Sequence, residues 1–451
     1  MIKKMTTQKG KAWIVLVFIL LFSACSPQIS NEEGAKQTVE SVTKTPAPQI
    51  TPSASFLFDF GSSCWPIRPL QPGNNIPGSL LMGNGPTGGY YWDISSFQVE
   101  KLPNNSWMEP IETFGGEFLI SLSDETDNLT RLTLTGSDRV ITVDLPKGYY
   151  QISNLSEGRI LLTSQSNRKY DSINYQSGVG FTDIYYIFDP APNTLTSHSI
   201  FLPHIAPWRE ESFFIFYSMD GRYILYRSQM PEQPNEFGYA LMDISSEKIL
   251  WTLPDIRTLT QNVGNADVPS WKPDSQSLIY YYVSGKGKTD QNLYEISLNG
   301  TRAQFTRLES VMKRGYRIGS NLEWAPNMEY VVFHIESPSE DPQLYIWDDH
   351  GKTLLKPCLP LMNVANLKDV ISPTFGWEWS FDGNYLLITL SYQGTPTPDG
   401  ILSYTHRRLI LDLPNKIIWE MPDDHTMQAY LKTSDKSFSY GPFGWINWEI
   451  P

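Results

Sequence analysis

The stretch WKPDSQSLIYYY, from Trp271 to Tyr282, packs an aromatic residue, a turn and an apolar run into a short span. Close variants occur as YSMDGRYILYR from Tyr217, WAPNMEYVVFH from Trp324 and WSFDGNYLLIT from Trp379. Aligned without gaps, they place Asp220, Asp274, Asn327 and Asp382 at one position, separated by 54, 53 and 55 residues. A weaker fifth copy, KTSDKSFSYG, places Asp435 another 53 residues on. Asp and Asn favour tight turns because their side chains bond the backbone two residues ahead. The aromatic three places earlier reads as the end of one strand. The run after the turn (ILY, LIY, VVF, LLI) reads as a strand buried on both faces.

Downstream of each run comes a third strand, in GYALMDI, NLYEISL, QLYIWDD and RRLILDL, and a fourth in KILWTLP (Lys248 to Pro254) and KIIWEMP (Lys416 to Pro422). A lone four-stranded sheet cannot cover its own faces, so copies must stack about 10 Å apart. Four strands recurring every ~54 residues predict the blades of a β-propeller. Upstream, GRILLTSQS with DIYYIFD, GEFLISLS with RVITVDLP, and GSLLMGN with GGYYWDIS read as three further blades. The span from Ile76 to Pro451 accommodates about seven periods. The expectation is therefore an all-β propeller of seven four-stranded blades, with six or eight also compatible. The C-terminal FSYGPFGWINWEIP is expected to pair with the first blade and close the ring, which removes open sheet edges.

Composition agrees. Aromatics make up 13% of the 451 residues and charged residues 18%, with 33 prolines and 31 glycines, a balance suited to short strands and turns. The N-terminus has a different character. Lys3, Lys4, Lys9 and Lys11 precede the apolar run AWIVLVFILLF, Ala12 to Phe22, too short for a membrane span of about 20 residues but suited to a signal peptide. It ends in LFSAC, which resembles the lipobox of bacterial lipoproteins, with Phe22 where Leu is more usual. That resemblance implies cleavage before Cys25 and lipidation of its sulfur; an ordinary secretory cleavage after Ala24 is the alternative. The expected organisation is thus a signal peptide over 1–24, a tether over 25–55 poor in apolar residues, and a propeller over 56–451.

Removing residues 1–24 leaves 31 basic residues (35 less the four lysines) against 48 acidic, a net charge near −17. Such a surface repels phosphates, so nucleic acid is excluded as a partner. Besides Cys25 only Cys64 and Cys358 occur, and their separation leaves both a disulfide and two buried thiols open. No Cys-x-x-Cys or Cys/His cluster suggests zinc, and no cofactor motif is present.

The aromatic–x–Pro–Asp turn followed by an apolar strand resembles the WD-like, or PD, repeat of TolB-type propellers. The phrases at Trp271, Trp324 and Trp379 carry it most clearly, from about Trp208 to Tyr440. The resemblance implies a periplasmic or surface propeller used mainly for protein contacts. Residues 26–75 are too short for the α/β domain that precedes the propeller in TolB. The turn proline occurs only before Asp274 and Asn327.

The repeat-equivalent Trp251, Trp271, Trp324, Trp379 and Trp419 are expected between blades, and Asp220, Asp274 and Asp382 are expected to cap their own turns. Only tryptophans outside the repeat, such as Trp107, Trp208 and Trp445, remain candidates for a sugar platform. SGKGKT, Ser284 to Thr289, has Tyr282 where a phosphate loop needs its first glycine, and reads as a solvated hairpin. His198, His204, His334, His350, His406 and His425 form no ligand pair in sequence, although blades could gather several in the channel. There is no Gly-x-Ser-x-Gly elbow. No catalytic or metal-binding residue is assigned.

The functional expectation is a monomeric, lipid-anchored binding scaffold in the bacterial cell envelope, outside the cytoplasm, engaging a protein or envelope component through one rim. Two alternatives stand beside it: a propeller glycosidase or polysaccharide lyase with carboxylates or histidines in the channel, and a solute-binding or sensory lipoprotein.

Overall fold

The computed structural model describes residues 57–59, 64–74, 76–85, 88–102, 112–114, 118–126, 128–136, 138–164, 175–176, 179–209, 212–230, 233–253, 269–284, 290–306, 308, 311–312, 316–337, 342–360, 371–393, 404–423, 426 and 442–446. The expected signal peptide and tether, Cys25, and the weak repeat around Asp435 lie outside them.

The chain forms a seven-bladed β-propeller. Blade 4 shows the unit: Ile215–Tyr217, Tyr223–Met230, Gln233–Asp243 and Lys248–Leu253 pair antiparallel in sequence order. Blades 5, 6 and 7 repeat it from Ser270–Trp271, Arg317–Trp324 and Ile371–Trp379. Blade 2 (from Glu112–Phe114) and blade 3 (from Tyr150–Asn154) precede it. First strands of neighbouring blades approach one another, as Ser270–Trp271 does Arg317–Trp324, which places them innermost around the axis.

The C-terminal strand Pro442–Ile446 pairs antiparallel with Ser79–Gly85 and supplies the inner strand of blade 1, as the sequence predicts. It also neighbours the inner strands of blades 7 and 2. One ladder of noncovalent bonds therefore joins the two ends of the ring.

A second closure was not expected. Leu57–Asp59 adds parallel to Thr353–Leu355, the outer strand of blade 6, and Ile67–Pro69 adds parallel to Ile417–Glu420, the outer strand of blade 7. Those two blades thus have five strands rather than four. Between the added strands, Cys64 is bonded to Cys358, which lies just beyond the outer strand of blade 6. Trp65 of this segment is buried in the gap between blades 6 and 7. The segment crosses the outer edges of both blades as a belt before the chain enters blade 1.

The core divides along the gaps between blades. Trp379 sits with Leu344, Ile346, Leu386 and Ile388 between blades 6 and 7. Trp251, Trp271 and Trp324 lie in the cluster that runs from blade 4 to blade 6. Trp419 packs partly buried against the cluster between blades 7 and 1. Equivalent pairs meet at separate seams: Tyr223 stacks on Trp271 at 6.4 Å, and Tyr385 meets Trp445 at 6.4 Å in a tilted arrangement.

The four turn residues do what their spacing predicts. Asp220, Asp274, Asn327 and Asp382 each accept, on Oδ1, the backbone N–H two residues ahead, at 2.9–3.1 Å. In blades 4 and 7 the preceding serine completes the cap: Ser218 and Ser380 each donate to the aspartate and accept from the amide of Tyr223 or Tyr385. Neighbouring turns touch, with the Asp220 amide donating to Ser275 Oγ at 2.9 Å.

Antiparallel pairing puts all these five-residue turns on one rim. The outer strands end on the opposite rim, at Leu253 and Leu355, where the next inner strands begin at Ser270 and Ile371.

Candidate functional site

Candidate chemistry gathers where the inner strands of blades 6 and 7 meet. The ladders of both blades are irregular there. In blade 6 the ladder slips between Ile318 and Leu322, so Gly319, Ser320 and Asn321 face His334 alone on the next strand. In blade 7 it slips between Ile371 and Thr374. Bulges bend a strand and redirect its side chains, and they recur near functional sites.

Glu323 shares a face of blade 6 with Val332 and His334, because it pairs with Val332 and residues two apart point the same way. Across the gap, Phe375 and Trp377 lie on the facing side of blade 7. The Trp377 indole N–H donates to Glu323 Oε2 at 2.9 Å. Glu323 is exposed, yet protein surrounds it closely. One side of the carboxyl is open to solvent while protein packs around the rest. Desolvation pushes its carboxyl up to about 7, opposed by the Trp377 hydrogen bond; its open face lets water screen part of that effect. Among the described residues no cation pairs with it.

His334 is buried beside this pair. Its ring lies 5.5 Å from Phe375 and 5.7 Å from Trp377, edge-on to the latter. Nε2 is 3.3 Å from Glu336 Oε1, while Nδ1 is buried without a hydrogen-bond partner among the described residues. Gly319 makes room for the ring. Gly376, between Phe375 and Trp377 in sequence, is exposed and faces open space.

A carboxyl poised near neutrality beside an imidazole and two aromatic rings can exchange protons or hold a cation. Among the described residues no group of three or more His, Cys, Asp or Glu side chains could hold a metal ion.

The other sequence candidates scatter. Trp445 is not a sugar platform: it is 1% exposed, fills the gap between blades 7 and 1, and donates Nε1 to the Glu378 carbonyl at 3.1 Å. It is the ring-closing counterpart of Trp271, carried on the C-terminal strand. Trp107 and the side chain of Trp208 lie outside the described residues. His198 is on the outer strand of blade 3, bonded to Thr196. His406 is on the third strand of blade 7, bonded to Ser391. His204 and His350 lie on turns, and His425 is outside the described residues. The strands flanking SGKGKT, Ser277–Ser284 and Asp290–Ser297, pair antiparallel, as a hairpin requires.

Glu323 and Trp377 escaped the sequence reading because neither belongs to the repeat motif. The available signal was weak: carboxylates immediately precede the motif tryptophan at Glu323 and Glu378, but not at Ser270.

No protein-family model and no curated protein matches the chain. Among solved structures it is similar to TolB from Acinetobacter baumannii, at 11% identity over 76% of this chain and 78% of that one, with a TM-score of 0.36. It is also similar to the β-propeller domain of the Trilobed protease from Pyrococcus furiosus (10%, 69% and 94%, TM-score 0.38). A putative 6-phosphogluconolactonase from Bacteroides uniformis is a third (14%, 75% and 98%, TM-score 0.35). Likenesses this distant transfer no activity.

Proposed function

We propose that this protein is a lipid-anchored, extracytoplasmic propeller of the bacterial cell envelope that acts as a binding scaffold rather than an enzyme. The Cys64–Cys358 disulfide supports this most directly, because such bonds persist in oxidising compartments and are rare in the cytosol. The LFSAC sequence before the acid-rich chain supplies the anchor at Cys25. The partner, a protein or envelope component, engages loops on one rim, since loops held by a rigid frame are the usual place for recognition.

Two measurements test this reading. Labelled palmitate should enter the chain and be lost in Cys25→Ser. The full-length protein, cross-linked in intact envelopes, should yield one reproducible partner, and failure of either result counts against the scaffold.

Glu323 favours a second reading, a glycan-cleaving propeller, because a general acid works best with a pKa near the working pH. Turnover of a glycan library, abolished by Glu323→Gln, would replace the scaffold reading.

A further inference from the structure

We propose that the channel wall between blades 6 and 7 binds an organic cation, a primary ammonium or guanidinium group, with Glu323 as its counter-ion and Trp377 and Phe375 as its aromatic flank. This goes beyond rim recognition and does not depend on it.

The geometry of one carboxyl carries the inference. Glu323 is exposed on an inner strand, so one side of it is open to solvent. Among the described residues its one polar partner is the Trp377 indole N–H, which holds Oε2 and leaves Oε1 without a bond there. A carboxylate closely surrounded by protein is costly without a counter-charge. Among the described residues none is supplied: the only influences on its ionisation are desolvation and that single hydrogen bond. A cation from outside would provide the missing charge.

The surroundings suit a cation that carries an apolar stem. Trp377 and Phe375 are part-buried rings of the same seam, and a positive charge near an aromatic face is attracted by its quadrupole. The chain's net charge of −13 raises the local concentration of any cation. An anionic ligand would meet Glu323 with no compensating base among the described residues. A neutral sugar would find the aromatic surface but leave the carboxylate unpaired.

The test is titration calorimetry on the full-length protein in detergent at pH 8, where Glu323 is ionised. Free amines are represented by 1,5-diaminopentane and agmatine, and a side-chain source by a capped Gly-Lys-Gly peptide. 1-Pentanol and N-acetylglucosamine serve as neutral comparisons. Saturable binding of a cation is expected, weakened about tenfold or more by Glu323→Gln and about threefold or more by Trp377→Leu, as loss of an ion pair and of a cation–π contact predicts. Binding of the free amines alone identifies a solute, and binding of the capped peptide identifies a partner's side chain. Three results overturn the proposal: no cation binds the unaltered protein, a neutral compound binds it as well as the amines do, or a folded Glu323→Gln variant binds cations unchanged. The neutral comparisons use unaltered protein, so they decide the matter even if the variants fail to fold. A partner recovered by cross-linking with no cation binding would leave the scaffold reading intact and remove this one.

Discussion

Gly319 and His334 compete for one volume: a Cβ on Gly319 would fall 1.8 Å from His334 Nε2. The glycine is there for space, since its backbone is not in the left-handed region. Gly319→Ala should therefore destabilise by about 1–3 kcal/mol through overpacking. In a His334→Ala background the same change should cost much less. A double-mutant cycle in denaturant reads the coupling directly. Additive effects would show that the ring moves aside freely.

Glu323 should make stability fall as pH rises. Its carboxyl is pushed up to about 7 in the folded chain, from 4.5 when free of the fold. Between those values the folded state holds a proton that the unfolded state has released, so each increase in pH favours unfolding. Glu323→Gln lacks this dependence and keeps an acceptor for Trp377. Its melting temperature relative to the parent should rise between pH 4.5 and pH 7 and level off above. A constant difference would mean that the carboxyl titrates normally.

Two seam tryptophans should respond differently to the same change. Trp324 is buried with its indole N–H unpartnered among the described residues, whereas Trp445 donates to the Glu378 carbonyl across the closing seam. Trp324→Phe removes a lone donor and should cost under about 1.5 kcal/mol. Trp445→Phe should cost about 1 kcal/mol more, because it removes a part-buried hydrogen bond to the Glu378 carbonyl. Alanine at either site should cost about 3–5 kcal/mol. Chemical denaturation of the four variants checks the order.

Reduction of Cys64–Cys358 should lower stability by about 2–4 kcal/mol, the usual range for removing such a cross-link. The double variant Cys64→Ser, Cys358→Ser should match the reduced protein. It should also be insensitive to reductant, as differential scanning calorimetry with and without dithiothreitol would show.

What the sequence made legible is what repeats. An Asp or Asn every ~54 residues has a local cause, a turn closed by its own side chain, and a motif tryptophan has one environment in every gap. Seven blades and the C-terminal closing strand followed from those. The belt did not, because Leu57–Asp59 and Ile67–Pro69 are three-residue strands whose pairing depends on outer edges some 300 and 350 residues away in sequence. Trp445 was misplaced for a related reason: its neighbours along the chain lack the turn, and only ring closure makes it equivalent to Trp271. The site between blades 6 and 7 was hidden because it departs from the repeat. Bulges at Gly319 and near Ser372 set the geometry, and a bulge has no composition of its own.

The belt also decides where a pull on the N-terminus would be felt. Tension arriving ahead of Leu57 must first shear the short parallel ladder to blade 6, and then it meets a covalent bond at Cys64. The force passes into Cys358, and so into the frame of blade 6, before it can reach the noncovalent seam where Ser79–Gly85 zips to Pro442–Ile446. A wheel hung by its leading end would thus be gripped at the flank, leaving its clasp slack.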